Sequence, residues 1–200
     1  MGGFMKNGMR ALTDEEVEKV REKLRTKYRR YGLRNELLFL LGVKTGFRVS
    51  EILSIKVKDV MRYDDKVLDV LTVSKRHIKG KTYGRTIPMH PEVKPLIRKW
   101  VKQGNLTPDD YLFKSQKKDS TTPLRRETVH DIFMDAFDVL RMGTGLGTHC
   151  MRKTFATNVY KKLNYDIFST QKALGHRFLS TTVQYLKVDE DKIKDAILNL

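Results

Sequence analysis

A single cysteine, Cys150, among 200 residues excludes an intramolecular disulfide framework and a zinc site built from cysteine pairs. No apolar run of about 18 residues occurs, so nothing reads as a membrane span. The opening stretch "MGGFMKNGMRAL" lacks the apolar core of a secretory leader. "GKT" at 80–82 lacks the glycine five positions earlier that a phosphate-binding loop requires; Lys75 stands there. "GTGLG" at 143–147 lies between helical patterns, not after a strand, and its third glycine comes too early for a dinucleotide fingerprint. The five histidines, at 77, 90, 130, 149 and 176, show no HExxH-like pairing, and no Gly-x-Ser-x-Gly elbow is present. No cofactor, metal or membrane partner is expected, and the chain reads as cytoplasmic.

Acidic residues are also scarce. Twenty-four Asp and Glu face 40 Lys and Arg, a net charge of +16. Such an excess concentrates polyanions and speeds their capture, so nucleic acid is the first partner to consider. The length suits one domain, and 40% apolar residues supply a sizeable core.

Residues 1–12 have no period and read as a loose tail. "TDEE" from Thr13 forms a capping box with Glu16, and Val17, Val20, Leu24 and Tyr28 then follow helical spacing. A helix apolar on most of its circumference spans about Glu36 to Lys44. "TGFRVSEILSI" turns at Gly46 into a short third helix. "VLDVLTV" and "RTIPMH" flank a Lys- and Gly-containing turn and predict a small antiparallel hairpin. Helices resume with Val93, Leu96, Ile97, Trp100 and Val101 on one face, then with Val129, Ile132, Phe133, Ala136, Phe137 and Leu140 on another. Several short helices follow. The predicted class is mainly α with a small antiparallel β-sheet, α+β.

In "GTHCMRKTFATNVYKK", 147–162, a three-residue step advances a helix by about 300°. His149 and Arg152 therefore share a basic edge beside an apolar stripe of Met151, Phe155 and Val159. Arg48 opens the short helix near Gly46, where Glu51 can hold its guanidinium. "KALGHRFLSTTVQYLKV", 172–188, places His176 nine residues before Tyr185; the plain reading is a glycine helix cap, a turn histidine and a core tyrosine. Taken together, these groups suit a phosphodiester under attack. Guanidinium forks stabilise charge on the non-bridging oxygens, an imidazole donates to them or moves a proton, Tyr185 can displace the sugar oxygen, and a hairpin lysine can protonate it.

"TGFRVSEILSIKVKDV", "THCMRKTFAT" and "LGHRFLSTTVQYLKV" resemble, in order, the signature boxes of the tyrosine recombinase (phage integrase) family. The resemblance covers roughly residues 12 to 190, that family's catalytic domain. It implies that Arg48, His149, Arg152 and His176 surround the scissile phosphate and that Tyr185 forms a 3′-phosphotyrosyl intermediate. "SKRHIKGKTYGRTIP" offers Lys75, Lys79 and Lys81 as general acid, and counting back from "RTIP" favours Lys79. Lys75, Arg76, Lys81, Arg85, Lys153 and Arg177 are the expected DNA contacts. Lys153 stands where histidine or lysine is common, and Arg177 where a small polar residue is usual. The resemblance further implies a catalytic domain over 13–200 without the family's N-terminal core-binding domain, acting on double-stranded DNA, associated with the nucleoid. It also implies a homo-tetramer formed through exchange of the C-terminal helix, whose Ile193, Ile197 and Leu200 make one stripe. A type IB topoisomerase-like strand transferase and a non-catalytic DNA-binding module of the same fold are the alternatives.

Overall fold

Thr13 starts the first helix, α1 (Asp14–Lys27), through a reciprocal cap. Its hydroxyl accepts from the Glu16 N–H at 3.2 Å, and the Glu16 carboxylate accepts from the Thr13 N–H at 2.9 Å. Two backbone donors that helix geometry would leave orphaned are satisfied. Val17, Val20 and Leu24 then bury one face. The structure is a computed structural model and describes residues 9–73, 84–117, 120–186, 194 and 197–199.

The second helix, α2 (Gly32–Thr45), begins earlier than its apolar core suggests and is buried without interruption from Arg34 to Val43. A helix carrying "LLFLLGV" has no wide polar face to offer water, so it becomes the centre around which others pack. It lies against α1 and α4 (Val93–Gly104), and Phe39 meets Phe133 of α5 (Arg126–Val139) edge-on, ring centroids 5.8 Å apart. The short α3 (Val49–Leu53) follows α2 after a tight turn.

Strands β1 (Val70–Val73) and β2 (Arg85–Pro88) pair antiparallel, with Leu71 opposite Ile87 and Val73 opposite Arg85. Alternation puts Leu71, Val73, Arg85 and Ile87 inward and leaves Thr72 and Thr86 outside, their hydroxyls 2.8 Å apart. The predicted α+β class, mainly helical with one small sheet, is the observed one.

The chain divides into two compact units, Met1–Phe155 and Ala156–Leu200, the boundary falling within α6 (His149–Lys162). In the second unit, the Asp166 carboxylate caps α7 (Ile167–Leu174) by accepting from the N–H groups of Phe168 at 2.8 Å and Ser169 at 3.1 Å. Helix α7 ends at the left-handed Gly175, and the short α8 (Leu179–Val183) packs against it. Of the expected C-terminal stripe, Ile193 and Leu200 lie outside the described residues, and Ile197 is exposed. Among the described residues no helix is long and apolar enough to cross a membrane.

Candidate active site

The site in the first unit grows from the end of α2. Gly46 takes φ 61°, and its N–H donates back to the Gly42 carbonyl at 2.9 Å. A side chain there would be strained by the left-handed backbone and would also collide with the Phe155 ring. Two residues on, Arg48 precedes α3. Its backbone N–H donates to one Glu51 carboxylate oxygen at 2.7 Å and its guanidinium to the other at 3.0 Å. Glu51 is itself buried, so a fixed carboxylate aims a part-exposed guanidinium, as the three-residue spacing predicts.

Helix α6 delivers the next two groups. Thr154 ties it in place by accepting from the Leu12 N–H at 2.9 Å and donating to the Cys150 carbonyl at 2.8 Å. His149 stands at the exposed start of the helix. Its imidazole is held below the ordinary histidine value, first by partial loss of solvent around the ring and then by the charges of Arg48, Arg152 and Arg126. Arg152, which the three-residue step puts on the same edge as His149, is turned inward. It is 1% exposed, and its guanidinium donates to the Gly46 carbonyl.

Arg85 departs from expectation. Read as a surface DNA contact, it is buried, donating to the Gly46 carbonyl at 3.3 Å and to the Thr45 carbonyl, with its guanidinium 4.5 Å from the Phe47 ring centroid. The alternation that turns Ile87 inward turns Arg85 inward with it, a signal already present in "RTIP". Burial first, and Arg152 beside it second, bring this guanidinium down to about 9. Arg126, one of the charges on His149, has no comparable signal, because it comes from a helix distant in sequence.

In the second unit, Gly175 does cap a helix, as the plain reading holds, and the same cap presents His176. The His176 Nδ1 lies 2.9 Å from the Thr182 hydroxyl, which restrains the ring. Helix α8 then turns the chain back, the Tyr185 N–H donates to the Thr182 carbonyl at 2.9 Å, and the His176 and Tyr185 rings come to 5.2 Å between centroids. The nine-residue interval is one short helix with a turn at each end. Thr182 was not picked out from the sequence; its signal is the buried face of α8 directed at His176. Lys153 is half-buried, and Arg177 is exposed with its guanidinium over the Phe178 ring. Lys75, Arg76, Lys79 and Lys81 lie outside the described residues. Arg48, His149 and Arg152 thus gather in one unit, His176 and Tyr185 in the other. Among the described residues no three His, Cys, Asp or Glu side chains form a group that could hold a metal ion.

The model of the phage integrase family matches residues 10–192. The chain belongs to the phage integrase family. A Bacillus subtilis protein named "Probable integrase/recombinase YoeC" is 30% identical over 182 residues, 91% of each chain. Tyrosine recombinase XerH of Campylobacter jejuni is 31% identical over 191 residues, 92% of this chain and 50% of that protein. The solved structure of XerH site-specific recombinase bound to difH substrate, a pre-cleavage complex, superposes with a TM-score of 0.71 at 28% identity, covering 94% of this chain and 53% of the other. XerA recombinase shares the fold, with a TM-score of 0.72 at 22% identity over 96% of this chain and 65% of that one. This member of the phage integrase family has the tyrosine recombinase catalytic-domain fold, and it spans about half the length of the XerH relative and 91% of the Bacillus subtilis one.

Proposed function

We propose that the chain is a site-specific DNA recombinase of the integrase or invertase type, a strand transferase that works without a metal ion. The observation that carries this reading is the charge around Gly46. Arg152 and Arg48 both bear on the buried Arg85, and among the described residues Glu51 is the carboxylate acting against them there. Two guanidinia bonded to one carbonyl, beside a third fixed by an acid, form an excess of positive charge that a phosphodiester balances.

In this reading the Tyr185 phenolic oxygen attacks the scissile phosphorus as its proton leaves. The bond from phosphorus to the 5′-oxygen breaks, and that oxygen takes a proton from Lys79, giving a 3′-phosphotyrosyl intermediate and a free 5′-hydroxyl. Arg48 and Arg152 stabilise the charge on the non-bridging oxygens while His149 and His176 donate to them or move the proton. A 5′-hydroxyl from a partner duplex then attacks the same phosphorus and releases Tyr185. Lys75, Arg76, Lys81, Lys153 and Arg177 hold the backbone of double-stranded DNA. Residues 13–200 form the catalytic domain, and four copies assemble on DNA through their C-terminal helices. The difH complex of XerH supports duplex DNA as the partner.

The test uses a pool of nicked duplexes of random sequence, incubated with the wild type and with Tyr185→Phe in excess EDTA and resolved on a denaturing gel. The wild type is expected to yield a covalent protein–DNA band whose sequences define the site; Tyr185→Phe binds but yields none. Absence of any wild-type adduct points to a non-catalytic binding module, adducts without sequence preference point to a topoisomerase-like activity, and a strict need for divalent metal points to a nuclease.

A further inference from the structure

The Arg85 guanidinium is a poor choice for stability alone. It is buried, its Nε has no hydrogen-bond partner among the described residues, and it shares the Gly46 carbonyl with Arg152, a group of its own charge. Burying a cation with no carboxylate bonded to it costs free energy that an apolar side chain in the same place would not. Its strand neighbour Ile87 shows that the same face accepts one. What Arg85 has instead is reach. From β2 it holds the carbonyls of Thr45 and Gly46, the two residues at the end of α2, with the Phe47 ring 4.5 Å and the Phe155 ring 5.7 Å from its guanidinium. Arg152 approaches the same Gly46 carbonyl from α6.

Gly46 lies two residues before Arg48, so the peptide planes that Arg85 holds set the direction in which Arg48 leaves the turn. The Arg48 side chain is anchored on the far side by Glu51. We infer that Arg85 is a positioning residue for the phosphate site: by pinning the Thr45–Gly46 carbonyls together with Arg152, it places both the Arg48 and the Arg152 guanidinia for the reacting phosphate. It does so from inside the fold and not as a contact to DNA. The depressed value of Arg85, caused by burial and by Arg152, is the electrostatic cost of holding two cations at one carbonyl, a cost that a bound phosphate offsets.

The inference rests on the recombinase reading, and its test separates the two. Arg85→Met keeps the length of the side chain and removes the charge and the donors. It is expected to fold with an unchanged or higher Tm and to bind the selected nicked duplex within about threefold of wild type, while the first-order cleavage rate of the bound complex falls about a hundredfold, the usual cost of misplaced reacting groups. Because Arg85 acts through Arg152, Arg85→Met combined with Arg152→Lys should lose little more than the worse single variant. Cleavage by Arg85→Met within threefold of wild type, a loss of cleavage only in step with binding and Tm, or losses that multiply in the double variant would each overturn the assignment. Should Arg85→Met not fold, Arg85→Lys, which keeps the charge but lacks the planar fork, takes its place. If the wild type forms no adduct, the recombinase reading fails. Positioning is then decided by the Arg48 and Arg152 Nε–Hε NMR resonances, identified by their loss in Arg48→Lys and Arg152→Lys. Movement of both in the Arg85 variant supports it, and unchanged positions refute it.

Discussion

His149 is surrounded by charges of its own sign, and that makes it a reporter of whatever anion arrives. Its value lies below the ordinary 6.5 because of solvent loss and of Arg48, Arg152 and Arg126, so the imidazole is neutral at pH 7 in the free chain and able to accept a hydrogen bond or a proton. A phosphate bound between these arginines reverses the local field. In an NMR titration His149 should therefore titrate below 6.5 without DNA and at a higher pH with DNA; a value unmoved by DNA would place the phosphate elsewhere. The same depression has a stability consequence. The unfolded chain binds a proton at His149 more readily than the folded one, so this contribution is complete above about 6.5 and declines as pH falls from there to the folded value. In urea titrations across that window, His149→Gln should reduce the loss of stability on acidification. Next to it, burial pushes the Cys150 thiol up to about 12. Iodoacetamide at pH 8 should leave Cys150 unmodified until the chain unfolds, and rapid labelling of the native protein would contradict its burial.

Among the connecting elements, the turn after α2 has a strict geometry, and a second glycine makes it testable. Gly46 and Gly143 both have positive φ, 61° and 77°, but a Cβ on Gly143 meets nothing within 4 Å while one on Gly46 strikes the Phe155 ring. Gly143→Ala should cost about 1 kcal/mol, the backbone term alone. Gly46→Ala should cost about 3 kcal/mol, because repacking of Phe155 is added to it, and it should abolish adduct formation by moving Arg48. Equal Tm losses for the two would remove the steric argument. Devices set by local spacing were readable from sequence: the Thr13–Glu16 box, the Arg48–Glu51 pair, the Gly175 cap and the alternation along the two strands of the hairpin. The shared acceptor of Arg85 and Arg152 was not, because Gly46 lies 39 and 106 residues away. Local hydrogen bonds follow from spacing, whereas the partner of a buried charge is chosen by tertiary packing.

At the scale of the whole molecule, charge is distributed unevenly between the two units. Ala156–Leu200 carries seven Lys and Arg against five Asp and Glu, whereas Met1–Phe155 carries 33 against 19. In the proposed reading, electrostatic capture of DNA belongs to the first unit, while Tyr185, the proposed nucleophile, lies in the nearly neutral second. Each phosphate neutralised by Lys or Arg releases condensed counterions, so affinity should fall about 10³-fold or more between 50 and 200 mM salt if six or more phosphates are engaged. Tyr185→Phe should follow the wild-type line of log affinity against log salt in both slope and height, since it removes no charge. Lys153→Ala, lacking one expected phosphate contact in the first unit, should make the slope shallower by about 0.9. Fluorescence anisotropy on a labelled duplex, titrated at four or more salt concentrations, measures both quantities. A slope near zero for the wild type would mean that the +16 charge is not used on DNA. A steeper change for Tyr185→Phe than for Lys153→Ala would mean that capture and attack are not divided between the units in this way.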